Sequence, residues 1–167
     1  GGSTIPGEYI LPEYIAGFKK THPDITITLK IGDTQDIIDM LLNGSVEMGV
    51  VGSKTDDKRI ECREFLKDEL VFIASGRHFK KSKAKIDKKD LKNLPIIIRE
   101  QGSGSRKTIE EIFKNHGIDI EDLNIAAEFG STEAVKQAVK SGIGVSFVSK
   151  FAVKDEIQNK ALKIIPI

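Results

Sequence analysis

An α/β fold is the class this sequence predicts, and three observations predict it. Short apolar runs alternate with stretches whose apolar residues recur at helical spacing, Gly and Pro punctuate the joints between them, and small hydroxyl residues stand where runs give way to helices. Such alternation argues for helices layered on a largely parallel sheet.

The elements follow in order. Pro6 with Ile10, Tyr14, Ile15 and Phe18 behind it predicts a helix over 6–20, ending at Lys19-Lys20-Thr21-His22-Pro23. A strand is expected over 25–31, a helix over 34–43 carrying Ile37, Ile38, Leu41 and Leu42, and strands over 46–51 and 69–75. Beyond a basic connector come a short helix over 88–92, a strand over 96–99, a helix over 105–115 with Ile109, Ile112 and Phe113, and a strand over 124–128. A helix over 132–141, a strand over 143–148, a helix over 150–157 and a strand over 162–166 complete the chain. Gly44 and Gly117 are placed to end helices, and Gly142 and Gly144 to allow a tight turn into the next strand.

A chain of 167 residues can bury a real core, as one domain or two small lobes. Its 26 basic and 25 acidic residues nearly cancel, so it lacks the basic face expected of a nucleic-acid footprint. The run Lys80-Lys81-Ser82-Lys83-Ala84-Lys85, followed by Lys88-Lys89, has no interleaved aromatic residues and is expected as a solvated connector. Cys62 is the only cysteine, which excludes an internal disulfide and makes a reducing cytoplasm the expected location. His22, His78 and His116 are scattered without cysteine partners, so no metal and no cofactor are expected; His22 and His116 look like helix-terminus residues. No apolar stretch has the length of a membrane helix and no signal peptide is visible. The chain starts abruptly at a functional motif, so an upstream segment is expected. No catalytic constellation emerges: Asp56-Asp57 and Glu110-Glu111 suit surface or helix-start charge, and an enzyme is not expected.

Chemistry concentrates at three helix starts, where unpaired N–H groups and the helix dipole favour negative charge. The first is Ser3-Thr4 before Pro6. The second is Arg99-Glu100-Gln101-Gly102-Ser103-Gly104-Ser105-Arg106, and the third Glu128-Phe129-Gly130-Ser131-Thr132-Glu133. In the second, small residues admit close backbone approach, Ser103 and Ser105 can donate, and Arg106 offers charge-assisted bonds to an oxyanion, unless Arg99 and Arg106 pair instead with Glu100, Glu110 or Glu111. A nucleotide P-loop is excluded, because Arg106 and Gln101 stand where that motif requires glycine. Capping alone would also account for the hydroxyls. Lys67 could add positive charge, though an exposed lysine is the default.

Together these segments resemble the effector-binding domain of LysR-type transcriptional regulators. The resemblance rests on Ser3-Thr4 with Tyr9-Ile10-Leu11-Pro12, Phe18 with His22-Pro23, Gly32-Asp33-Thr34, Leu42-Asn43-Gly44, Glu47-Met48-Gly49-Val50-Val51, and Lys140-Ser141-Gly142-Ile143-Gly144-Val145-Ser146-Phe147-Val148. The Gly-Ser-Gly-Ser-Arg stretch from Gly102 to Arg106 is similar to that of the branch containing the sulfur- and cysteine-metabolism and carbon-fixation regulators.

What the resemblance implies is a two-lobed, type 2 periplasmic-binding-protein-like fold, with lobe one over 1–72 and lobe two over 73–167. It also implies that the C-terminal return to lobe one is truncated, leaving lobe one incomplete. Effector contacts are expected from Ser3, Thr4, Thr34, Gln35, Ser103, Gly104, Ser105, Arg106, Ser131, Thr132 and Gln137, gathered in a cleft. The expected partner is a small anion, a sulfate- or sulfite-like oxyanion or a small carboxylate. DNA binding would belong to a winged helix-turn-helix outside this chain, in a homodimer or tetramer. The rival expectation is a transport-type solute-binding protein for a small oxyanion, although Cys62 lies too far inside to be a lipid anchor; a regulatory module of an enzyme is a third.

Overall fold

The computed structural model describes residues 1–79 and 86–166, without the side chain of Lys88. The core of the expected basic connector, 80–85, therefore lies outside the described residues. The chain divides into two compact units, Gly1–Lys67 and Asp68–Ile167, each with its own sheet.

In the first unit, β1 (Gly2–Ser3) pairs in parallel with β2 (Ile31–Gly32), and Gly2 bridges to Val50 on its other side. The strands expected over 25–31 and 46–51 thus form ladders only at these points. The reason is the length of their shared partner: the chain turns helical at Thr4, so β1 offers two residues and no more. From Thr4 the backbone passes through a π-helical turn, Pro6–Ile10, into α1 (Leu11–Thr21). Pro12 has no N–H to donate one turn back, which suits a change of helical pitch at this place. A Cβ on Gly2 would lie 2.7 Å from the Gly7 Cα, so two glycines let the helix start press against β1. The second helix, α2 (Thr34–Leu42), buries Ile37 and Ile38.

The second unit runs β3 (Leu70–Ser75), α3 (Lys88–Leu91), β4 (Ile96–Arg99), α4 (Gly104–Asn115), β5 (Ile125–Phe129), α5 (Thr132–Lys140), β6 (Val145–Ser149), α6 (Lys154–Gln158) and β7 (Leu162–Ile164). The helix expected over 150–157 divides into a 3-10 turn, Lys150–Val153, and α6. Gly44, Gly117 and Gly142 take positive φ just beyond α2, α4 and α5, as helix-ending residues do.

The strand order is β5-β4-β6-β3-β7. β4 pairs in parallel with β5 and β6, whereas β3 runs antiparallel to both β6 and β7. The largely parallel sheet read from the alternation is therefore a mixed one. Crossovers through α4 and α5, running in opposite directions across the sheet, make β4, β5 and β6 parallel, but the direction of β3 depends on the pole from which the chain arrives, which no local pattern encodes.

Alternating residues feed two apolar layers. Phe72, Ala74, Ile96, Ile98 and Val145 pack with Ile109 and Phe113 of α4, while Val71, Ile73, Ile97 and Val148 pack with Val135, Ala138 and Val139 of α5. Each fully buried aliphatic side chain in these layers contributes about 1.5–3 kcal/mol. The two helices flank opposite faces of one sheet, and both begin at the carboxyl pole of the parallel strands.

Candidate functional site

At that pole β4 ends in Arg99 and β5 in Phe129, and the two segments are stitched by a 3.2 Å bond from the Glu100 N–H to the Phe129 carbonyl. Side chains alternate along β4, so Arg99 shares the α5 face with Ile97 rather than the α4 face with Ile98. It is buried, 7% exposed. Its Nη1 donates to Thr132 Oγ1 over 2.7 Å, and its Nε and Nη2 donate to the two carboxylate oxygens of Glu100, each over 2.7 Å. This bidentate pair holds the Glu100 carboxyl below the usual range, the Arg99 hydrogen bonds being the largest cause.

The two helix starts differ. Ser131 caps α5, its hydroxyl accepting from the Ala134 N–H over 3.1 Å. Ser103 occupies the corresponding position of α4, is 4% exposed, and makes no side-chain cap bond. Among the described residues its hydroxyl has no partner, nor has that of half-buried Ser105. The first turn of α4 thus combines N–H groups without a side-chain cap, two uncommitted hydroxyls and Gly104, which carries no side chain, and this is chemistry suited to an anion.

Arg106 takes the alternative kept open for it. Its Nε donates to Glu110 over 2.8 Å, and its Nη1 to Glu128 over 2.6 Å and to the Arg99 carbonyl over 3.1 Å. These carboxylates, Glu110 first, raise its pKa further and keep it charged. Thr132 is buried against Arg99, and exposed Gln137 donates to Glu133 over 2.6 Å.

In the first unit, Ser3 is buried and its hydroxyl accepts from the Gly52 N–H over 3.2 Å, so it ties down a loop instead of capping the helix behind it. Thr4 is half-buried, and its hydroxyl has no partner among the described residues. Thr34 is the first helical residue of α2; the cap is Asp33, which forms a reciprocal capping box with Asp36. Gln35 is exposed and bonds Asp39 over 2.9 Å. Lys67 is exposed, 3.9 Å from Glu64.

Two units with hydroxyl-bearing helix starts, one on a β5-β4-β6-β3-β7 sheet, can now be set beside known proteins. The LysR substrate binding domain matches residues 1–167. The chain belongs to the LysR substrate-binding domain family. It is 35% identical over 161 residues to the HTH-type transcriptional activator CmpR of Synechocystis, covering 96% of this chain and 52% of that protein. To a probable RuBisCO transcriptional regulator of Trieres chinensis it is 34% identical over 172 residues, 100% of this chain and 56% of the relative. The chain thus spans about half the length of these curated relatives. Among solved structures, the Synechocystis PCC6803 CcmR regulatory domain in complex with 2-PG superposes with a TM-score of 0.85 at 27% identity, covering 98% of this chain and 77% of that one. These relatives carry the names of regulators, so a transport-type solute-binding protein is not favoured.

In this LysR substrate-binding domain the sequence reading missed Arg99 as a buried group. Its signal was positional: the last residue of an apolar run, on the same parity as Ile97, inherits that residue's inward direction.

Proposed function

We propose that this LysR substrate-binding domain senses a small anion, and that the α4 start of the second unit is its principal anchor. One observation carries the reading: the hydroxyl of Ser103, a residue only 4% exposed, is left uncommitted and open to solvent beside an uncapped helix start, whereas the equivalent Ser131 is used up in capping α5. Ser105 and the Gly104 backbone complete that set, with Ser131, Thr132, Arg106 and Gln137 around it. Within the first unit, Ser3, Thr4, Thr34 and Gln35 are the residues proposed for effector contact, Thr4 having a hydroxyl without a partner among the described residues. The CcmR relative's complex with 2-PG supports a small-molecule effector in this family.

The domain is proposed to act without catalysis or cofactor, in the cytoplasm, within a homodimeric or tetrameric regulator. DNA binding would be supplied by a winged helix-turn-helix outside these 167 residues. Binding can bias such a regulator only through unequal affinity for its two arrangements.

A thermal-shift screen of this chain against sulfate, phosphate and small carboxylates at fixed ionic strength tests the reading. An anion at 100 times its dissociation constant adds about 2.7 kcal/mol to stability, a readily measured rise. Ser103→Ala should abolish that rise, and Ser3→Ala should weaken it. A wild-type domain that melts cooperatively with no shift from any anion would refute an anionic effector.

A further inference from the structure

We propose that Arg99 is the cation that receives the effector's anionic group, and that Glu100 is an internal carboxylate holding its place until the effector arrives. The inference rests on the anion-sensing reading above and adds to it a charge and a built-in competitor. Among the predicted contacts, the guanidinium of Arg106 is committed to Glu110 and Glu128, on the surface between α4 and β5. Arg99, by contrast, sits at the end of β4, one hydrogen bond from the first residue of α5 and four residues before Ser103, the residue that precedes α4.

The geometry of the Arg99–Glu100 pair is that of a carboxylate binding to a guanidinium fork, with both oxygens engaged at 2.7 Å. The two members differ in access: the Arg99 side chain is 8% exposed and that of Glu100 32%. Glu100 is therefore the outer member, at the start of a short turn through Gln101 and Gly102 that leads to Ser103, whose hydroxyl has no partner among the described residues. Thr132 fixes the third edge of the guanidinium, so Arg99 stays in place when Glu100 swings out. An incoming carboxylate or oxyanion that takes the Glu100 position meets the same fork, and Ser103, whose N–H bonds the Glu100 carbonyl over 3.3 Å, opens α4 at the end of the same short turn.

Such an arrangement sets a threshold. An anion must displace a neighbouring carboxylate of its own charge, so ions that bind Arg99 alone gain little, and only one that also engages Ser103 is favoured over the internal pair.

The experiment is titration calorimetry of the wild type, Glu100→Gln and Glu100→Asp with inorganic sulfate, inorganic phosphate and glycolate, with glycerol as an uncharged control. Removing one like charge beside the bound anion should tighten the best of these anions about ten-fold in Glu100→Gln, by analogy with the effect of a like charge on a neighbouring ionisation. Glycerol affinity should not change, whereas a merely structural role for Glu100 would move both or neither. Glu100→Asp keeps the charge but shortens its reach to the fork; a smaller gain there supports the proposal even if Glu100→Gln fails to fold. Wild-type anion binding that is equal or tighter than that of both variants would overturn the place-holder role while leaving the anion sensor intact. Failure of every variant and of the wild type to bind any anion would overturn both.

Discussion

Arg99 and Thr132 stand 33 positions apart and are joined by a 2.7 Å hydrogen bond from Nη1 to Oγ1, both residues being buried. The bond ties the carboxyl end of β4 to the first turn of α5. Thr132→Val keeps the shape and removes the acceptor, leaving an Arg99 N–H buried without one. The expected cost is about 1–3 kcal/mol, read as a lower urea midpoint at unchanged slope. A midpoint equal to wild type would mean that water replaces the hydroxyl.

The capping box of α2 makes a prediction confined to the first unit. Asp33 accepts from the Asp36 N–H over 2.8 Å, and Asp36 returns the favour to the Asp33 N–H over 3.1 Å. Asp33→Ala should destabilise by about 1 kcal/mol, with faster hydrogen exchange in the first turn of α2. Thr34→Ala should have a smaller effect, since Thr34 is not the cap.

These two sites show how far the residues alone reach. The hydroxyl at the α5 start, the helix-ending glycines and the alternating faces of β3 and β4 follow from local chemistry, and so they were legible. The cap of α2 is Asp33 and not its neighbour Thr34, a choice the residues alone leave open because Asp and Thr both cap well. Residues 25–31 look like a strand, yet Ile25 and Ile27 stay exposed, because a ladder needs a partner of equal length and β1 has two residues. Arg99 and Arg106 each had a carboxylate nearby in sequence. Only the register of β4 and the placement of β5 decide that Arg99 is buried and that Arg106 gains Glu128 as well.

Gly144 carries a third prediction. Its φ is not positive, so the freedom of its backbone is not what the fold uses; a Cβ there would run into the Pro95 carbonyl oxygen, with Ile97 Cγ1 at 3.3 Å. The Val145 N–H bonds that same Pro95 carbonyl over 2.9 Å, which seats β6 against β4. Gly144→Ala should therefore cost about 1–3 kcal/mol, measurable as a lower melting temperature. Gly117→Ala, with open space around it, should show only the cost of its positive φ.

A pH dependence is expected from Asp68. Partial burial pushes its carboxyl above the ordinary 3.8, against the opposing hydrogen bonds from Ser149 and the Glu69 N–H. A carboxyl whose pKa is raised by folding favours the folded state while protonated, and that contribution is lost as pH rises through the folded value. Asp68→Asn should then gain stability relative to wild type above the ordinary carboxylate range, and the gain should vanish in more acidic solution. Urea midpoints of the two proteins across that range check it; a constant difference would locate the effect in the Ser149 bond instead.

The antiparallel placement of β3 gives the second unit a polarity. Leu70 pairs with Ser149, so the strand that brings the chain in starts at the same pole where β6 finishes and α4 and α5 begin. There the Lys150 N–H bonds the Glu69 carbonyl over 2.8 Å and its ammonium meets the Glu69 carboxylate over 2.7 Å. Doorway and proposed anion pole are one place. A charge captured beside Arg99 would act within a few strands' width of the threshold that Asp68 and Glu69 form, so its influence could reach the linking backbone without bending the sheet or disturbing either apolar layer.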